Sequence, residues 1–181
     1  MVTKAANQEI CHLLLFFFRD AGAAEIAPDI LLDAATLLDL YGEDILARAY
    51  VTTDPVRGEV VLRPDFTVPV VQTHMDGGAE PARYCYLGEV FRKQDHGDTR
   101  PQHPRDNEYL QAGFELFARD AEADAEVFAL FHRLLQPYRL QAAMGDMDIL
   151  LDAVRALPVS DARRAALLHH VWRPIRFARL L

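Results

Sequence analysis

The clearest alternation of apolar and polar positions lies in residues 110–117, where Leu110, Ala112, Phe114 and Leu116 fall on one face and Gln111, Gly113 and Glu115 on the other. This period of two predicts a half-buried strand. A second strand is predicted over residues 84–92, aromatic at Tyr84, Tyr86 and Phe91 and ending in Arg92. Shorter strands are predicted over residues 49–53 and 59–62, joined by a turn whose Asp54, Pro55 and Gly58 suit a reversal of direction. Helical spacing appears first in residues 5–20, where Ile10, Leu13, Leu14, Phe17 and Phe18 form a stripe that Leu15 and Phe16 widen almost all the way round. A helix apolar on every side is a buried one, and near a chain terminus its outer face points to a partner chain.

Five further helices follow from the same pattern. Residues 29–40 predict one, with Asp29 as N-cap after Pro28. Residues 66–74 predict another, with Asp65 or Thr67 near its start. A third begins after Glu122 and turns Val127, Phe131, Leu134 and Leu135 inward. A strand at 139–143 then leads to Gly145 and Asp146. Helices over 147–156 and 161–171 follow, broken by Pro158. No repeat or low-complexity segment interrupts this order.

The polar positions add chemistry to the pattern. Gln111 and Glu115 offer acceptors to an amine, Gln111 can also donate, and Gly113 between them leaves room for a ligand against the backbone. The plainer alternative is a strand that turns its polar face to water. Asp65 and Thr67 supply acceptors for a cation where the free amides of a helix start favour an anion, and an amino-acid zwitterion requires both. The same two residues also suit simple helix capping. Arg92 fits a carboxylate or phosphate, because its planar fork binds such groups bidentately. Residues 93–108 read as a polar loop in which Arg100 and Arg105 can close over an anion or meet a partner. His96, His103, Asp95 and Asp98 in that loop fit no compact metal-ligand spacing.

Composition narrows the classes. The 181 residues suffice for one domain with a substantial core, and 51% hydrophobic with 25% charged residues is ordinary for a globular protein. A formal net charge of −8 argues against broad contact with tRNA or DNA, which takes a cationic surface. Arg155, Arg163, Arg164, Arg173, Arg176 and Arg179 crowd the end of the chain, where solvated or paired arginines are the simpler reading. Cys11 and Cys85 are too few and too far apart for a disulfide framework or a cysteine metal site, which suits a reducing cytoplasm. The apolar run through Phe18 mimics a signal peptide, but Glu9, His12, Arg19 and Asp20 disrupt that pattern. No stretch approaches the length of a membrane span, so a soluble chain is expected.

Three segments together carry a family resemblance: Leu-Arg-Pro-Asp-Phe-Thr at 62–67, Tyr-Leu-Gly-Glu-Val-Phe-Arg at 86–92, and Tyr-Leu-Gln-Ala-Gly-Phe-Glu at 109–115. In this order and spacing they resemble the histidyl-tRNA synthetase superfamily. Upstream, Ala23, Glu25, Ile26 and Pro28 followed by Gly42 and Glu43 resemble the first class II motif, a long interface helix leading to a proline-marked strand. The resemblance runs from about residue 8 to 155. It implies an α+β fold of the class II aminoacyl-tRNA synthetase type, an antiparallel sheet flanked by helices. Residues 1–145 are expected to form the core and 146–181 a helical segment that begins the rest of the architecture.

Two families share this ancestry: the synthetases, and the regulatory subunits of short-form ATP phosphoribosyltransferase, catalytically silent paralogues acting at the first step of histidine biosynthesis. The chain departs from the synthetase pattern towards the second. It has Gln94 in place of a glutamate, Phe66 in place of a glycine, Asn107 in place of an arginine, and a longer 93–108 loop. All nine glycines lie at or before Gly145, so the glycine-rich third motif with its ATP-binding arginine is not in these residues.

The resemblance therefore implies a regulatory subunit without catalysis or cofactor, binding histidine and a phosphoribosyltransferase catalytic subunit. It also implies self-association through the N-terminal helix, while the net charge and the lack of a long apolar stretch argue for no nucleic acid and no membrane partner. In that role Asp65, Thr67 and Glu115 receive the histidine ammonium, Gln111 orients the ligand and Arg92 faces the carboxylate. The imidazole pocket is expected to draw on residues outside this chain. The alternative is a degenerate synthetase that still activates an amino acid.

Overall fold

A computed structural model of the chain describes residues 4–41, 48–93, 107–171 and 173–181. They fall into two compact units, Met1–Pro137 and Tyr138–Leu181. The larger unit opens with helix α1 (Lys4–Asp20) and continues through β1 (Ala24–Glu25), β2 (Leu31–Asp33), α2 (Ala34–Tyr41), β3 (Tyr50–Asp54) and β4 (Gly58–Leu62). Helix α3 (Thr67–Met75), strands β5 (Ala82–Phe91) and β6 (Glu108–Phe117), and helix α4 (Glu122–Leu135) complete it. The expected α+β class with antiparallel strands and flanking helices holds.

Two three-stranded sheets organise this unit. One has the order β1-β5-β6, with β1 parallel to β5 and β5 antiparallel to β6; the other, β2-β4-β3, is wholly antiparallel. The long β5–β6 ribbon buries its apolar face under α1 and α4. There Leu15, Phe18, Ala23, Cys85, Phe114 and Leu130 form the core, with the Phe18 ring 5.8 Å from Phe114 and 5.6 Å from Phe131. Arg83 of β5 pairs in bidentate fashion with Glu126 of α4, both bonds at 2.6 Å, and pins that helix to the ribbon.

Several expectations need correction. Residues 31–33 form a strand, because Leu31, Leu32 and Asp33 pair with Leu62, Val61 and Val60. The helix therefore starts later than expected, and Asp33 rather than Asp29 caps it by accepting the Thr36 N–H at 3.0 Å. On α4 the buried residue is Leu130, flanked by Val127, Phe131 and Leu134, while Leu135 is exposed. The stripe follows the i, i+3, i+4, i+7 spacing, from which Leu135 lies off to one side. Helix α1 buries Cys11, Leu15 and Phe18 and leaves Ile10, Leu13 and Phe16 exposed, so this unit covers only one face of it. The 93–108 loop, with His96, His103 and their neighbours, and Gly42 and Glu43 upstream lie largely outside the described residues.

In the smaller unit, residues 139–146 form no strand; Arg139 adopts a left-handed φ of 50°, which breaks an extended run. Helix α5 (Met147–Arg155) follows, capped by Asp146, whose carboxylate accepts the Asp148 N–H at 2.9 Å. Helix α6 (Asp161–His169) is capped by Ser160. A short α7 (Pro174–Leu180), not foreseen in the hydrophobic pattern, ends the chain.

One buried charge ties the two sheets together. Arg63 follows β4 and is 3% exposed. Its Nε and Nη2 both donate to the Glu89 carbonyl, at 3.2 and 2.9 Å, and its Nη1 donates to the carbonyls of Pro28 and Asp29. The guanidinium lies 3.8 Å over the Phe66 ring. Main-chain bonds from Arg63 to Ile30 and from Phe91 to Arg63 complete the join. Gly88 is required beneath it, since a Cβ there would sit 2.7 Å from Nη2 and 3.0 Å from the Phe66 ring.

Arg63→Leu is expected to cost about 3 kcal/mol or more in urea unfolding, because three carbonyls lose their donor in a buried setting. Arg63→Lys should recover part of that loss, since one ammonium keeps the charge but cannot span the three acceptors. Equal stability of the leucine variant and wild type would remove Arg63 from this role.

Candidate functional site

In the β5–β6 ribbon, directly opposed residues share a face. Gln111 lies opposite Gly88, Gly113 opposite Tyr86, and Glu115 opposite Tyr84. This face looks away from α1 and α4 and packs on α3, where Phe66, Val70, Tyr86 and Val90 form a second buried cluster. The first turn of α3 is thereby laid across the polar residues of β6.

Phe66 occupies the N-cap position of α3 and makes no side-chain capping bond. Thr67 does not cap either: its hydroxyl crosses to β6 and donates to Glu115 Oε1 at 3.1 Å. The Tyr86 hydroxyl donates to the same oxygen at 3.3 Å. Tyr86 also accepts a hydrogen bond from the Gln111 amide. Arg92, just beyond β5, donates from Nε to the Pro64 carbonyl at 2.6 Å, and its Nη2 lies 4.0 Å from Asp65. The structure thus gathers Asp65, Thr67, Arg92, Gln111 and Glu115 around the junction of α3 with the ribbon.

The electrostatics of the cluster are set by burial and by neighbouring carboxylates. Burial raises the Glu115 carboxyl above the ordinary range; the Thr67 and Tyr86 hydrogen bonds oppose the rise, and the nearby Asp65 charge adds to it. The Tyr86 phenol is pushed up to about 12, chiefly by burial and then by the Glu115 charge. A carboxylate held in this way, bonded by two neutral hydroxyls and beside a second carboxylate, gains from a protonated amine supplied from outside.

Gly113 plays a different part from the one expected. A Cβ at this position would lie 2.3 Å from the Tyr86 Cζ and hydroxyl, so the space it leaves is filled by the tyrosine ring rather than kept for a ligand. Tyr86 is the site residue that sequence reasoning missed, and its position opposite Gly113 was the available signal. Phe66, noted only as a departure from a glycine, stacks face to face on Tyr86 with ring centroids 4.2 Å apart. Beside them His74 is buried, stacks on Phe117 at 4.0 Å and meets the Tyr84 hydroxyl at 3.2 Å, which walls that flank of the site. Among the described residues no group of three or more His, Cys, Asp or Glu could hold a metal ion. No described helix is long and apolar enough to cross a membrane.

Glu115→Gln is expected to melt at a higher temperature than wild type near pH 7. Because the folded-state carboxyl titrates above its unfolded value, ionisation penalises the folded state. That penalty grows as pH rises from the unfolded carboxylate range through the folded one and is absent below both. The gap between the two melting curves should therefore close in acid, and a gap that widens there would contradict the assignment.

Comparison with known proteins gives a consistent picture. The chain matches the histidyl-tRNA synthetase family over residues 3–174. It is 41% identical over 150 residues to an ATP phosphoribosyltransferase regulatory subunit of Mesorhizobium japonicum, covering 79% of this chain and 38% of that protein. It is 34% identical over 151 residues to the corresponding subunit of Allorhizobium ampelinum, covering 80% of this chain and 38% of that one. The chain thus spans about 38% of the length of these relatives. Among solved structures, a histidine–tRNA ligase subunit from Alicyclobacillus acidocaldarius superposes with a TM-score of 0.66 at 21% identity, over 96% of this chain and 51% of that one; this likeness speaks for the fold.

Proposed function

The chain belongs to the histidyl-tRNA synthetase family, and we propose that it serves there as a non-catalytic regulatory subunit of a short-form ATP phosphoribosyltransferase, binding histidine and the catalytic subunit. The observation that carries the ligand half of this reading is Glu115, a half-buried carboxylate bonded by two hydroxyls and facing the charge of Asp65. Such a site gains from a histidine ammonium, which brings three N–H donors and a positive charge. Asp65 and Thr67 add acceptors, Gln111 orients the ligand, and Arg92, standing beside Asp65, meets the histidine carboxylate. The likeness to regulatory subunits supports the partner half.

The uncovered face of α1, with Ile10, Leu13 and Phe16, is where a second copy of the chain would pack. The net charge of −8 gives no basis for a nucleic-acid surface, and two free, buried cysteines suit a reducing cytoplasm. Feedback by histidine requires that it bind one state of the assembly better than another; equal affinity for both would shift nothing.

The test is turnover of a short-form catalytic subunit from the same source, with and without this chain, and then with histidine. Turnover is expected to rise with the chain and fall again on adding histidine, while Glu115→Gln keeps the rise and loses the histidine response. A catalytic subunit indifferent to the folded chain would defeat the regulatory reading. Retention of the same Asp65, Thr67 and Glu115 cluster also fits an enzyme that activates an amino acid. Histidine-dependent exchange of pyrophosphate into ATP would establish that second reading, and none is expected.

A further inference from the structure

Three planar groups are stacked in a column that ends at the ligand site. The Arg63 guanidinium lies 3.8 Å over Phe66, and Phe66 lies 4.2 Å from Tyr86 at an interplanar angle of 8°. Gly88 and Gly113 are the spaces that admit the column. A Cβ at Gly88 would strike Arg63 and Phe66, and one at Gly113 would strike the Tyr86 ring. Tyr86 is 4% exposed, so the ring itself offers a ligand almost no surface. Its hydroxyl nevertheless joins two of the proposed ligand residues, donating to Glu115 and accepting from Gln111.

The direction of these hydrogens has a consequence. An ionised Glu115 is acceptor-only, so the Thr67 and Tyr86 hydroxyls must both point their hydrogens at it. Both hydroxyls are committed to Glu115 Oε1, so neither hydroxyl hydrogen remains for a ligand. A site whose hydroxyl hydrogens are already used suits a protonated primary amine better than a neutral acceptor group.

We propose that Tyr86 is a positioning residue of this site, held by the Arg63–Phe66 column and the Gly113 slot, and that its hydroxyl, donating to Glu115 Oε1, fixes the orientation in which that carboxylate accepts the ligand amine. The proposal rests on the ammonium-site reading above and adds its control: ligand recognition runs through a residue the ligand scarcely touches. Protonation of Glu115 would end the arrangement, since a carboxylic acid can donate and the hydroxyls would be released from their fixed sense.

The experiment follows the Glu115 carboxyl by carbon-13 NMR against pH in the full 181-residue chain, assigned by its absence in Glu115→Gln. Tyr86→Phe keeps the ring, the stack and the filled Gly113 slot and deletes only the oxygen, so the Glu115 midpoint is expected to move to higher pH. Phe66→Leu, which removes the stacking face, should move it the same way by less. A midpoint unmoved in Tyr86→Phe would overturn the proposal; should that variant not fold, an unmoved midpoint in Phe66→Leu would do so. Histidine affinity is read in parallel, and Tyr86→Phe is expected to weaken it about tenfold, with the acid limb of the binding profile displaced upward in pH. A wild-type chain that binds no histidine, with the midpoint still moved, would defeat the histidine reading and leave the role of Tyr86 standing.

Discussion

The larger unit depends on one buried cation. Arg63 carries its charge into a place where bulk water cannot solvate it, and burial lowers the affinity of the guanidinium for its proton against the opposing pull of Glu89 and Asp29. What makes the position tolerable is the geometry of the group: a rigid fork of N–H donors satisfies carbonyls on two separate segments while its flat face rests on Phe66. A lysine has the charge without the span, and an apolar residue has neither. Since those carbonyls belong to the segment before β2 and to β5, the same contact that solvates the charge sets the spacing of the two sheets.

Everything at the candidate site inherits that spacing. Phe66 is held by Arg63, Tyr86 by Phe66, and Glu115 by Tyr86, so the orientation of the Glu115 carboxylate is traced back through two stacked rings to a buried charge. The site is correspondingly strained in an electrostatic sense. A half-buried carboxylate beside another carboxylate is electrostatically unfavourable, and the folded chain carries this cost.

Much of this was legible in residue order, and the failures have identifiable causes. Period-two alternation located β5 and β6, and with it the shared face of Gln111 and Glu115. Helical spacing located α1, α3 and α4. It went wrong at residues 31–33, where three residues read as the start of a helix are drawn into pairing with β4; local propensity is outweighed by a ladder that exists only in the folded chain. On α4 the choice between Leu130 and Leu135 depends on which side the ribbon lies, which no helical stripe can specify. Gly113 was read as space for a ligand because a strand glycine signals a close approach of some kind. Which group makes the approach is decided by the register that sets Tyr86 opposite it.

The sequence by itself determined the α+β class, the long ribbon and its flanking helices, the family and the chemical types gathered at the candidate site. These follow from periodicity, charge and the residue types at fixed spacing, all of which are local or additive along the chain. Only the tertiary structure decided that Arg63 is buried, that Tyr86 rather than a ligand fills the Gly113 slot, and that Thr67 turns from its helix to Glu115. Each of those depends on residues 25 or more positions apart being brought within bonding distance. A sequence states which hydrogen-bonding groups are available, but their partners are set by the packing of sheets and helices against one another.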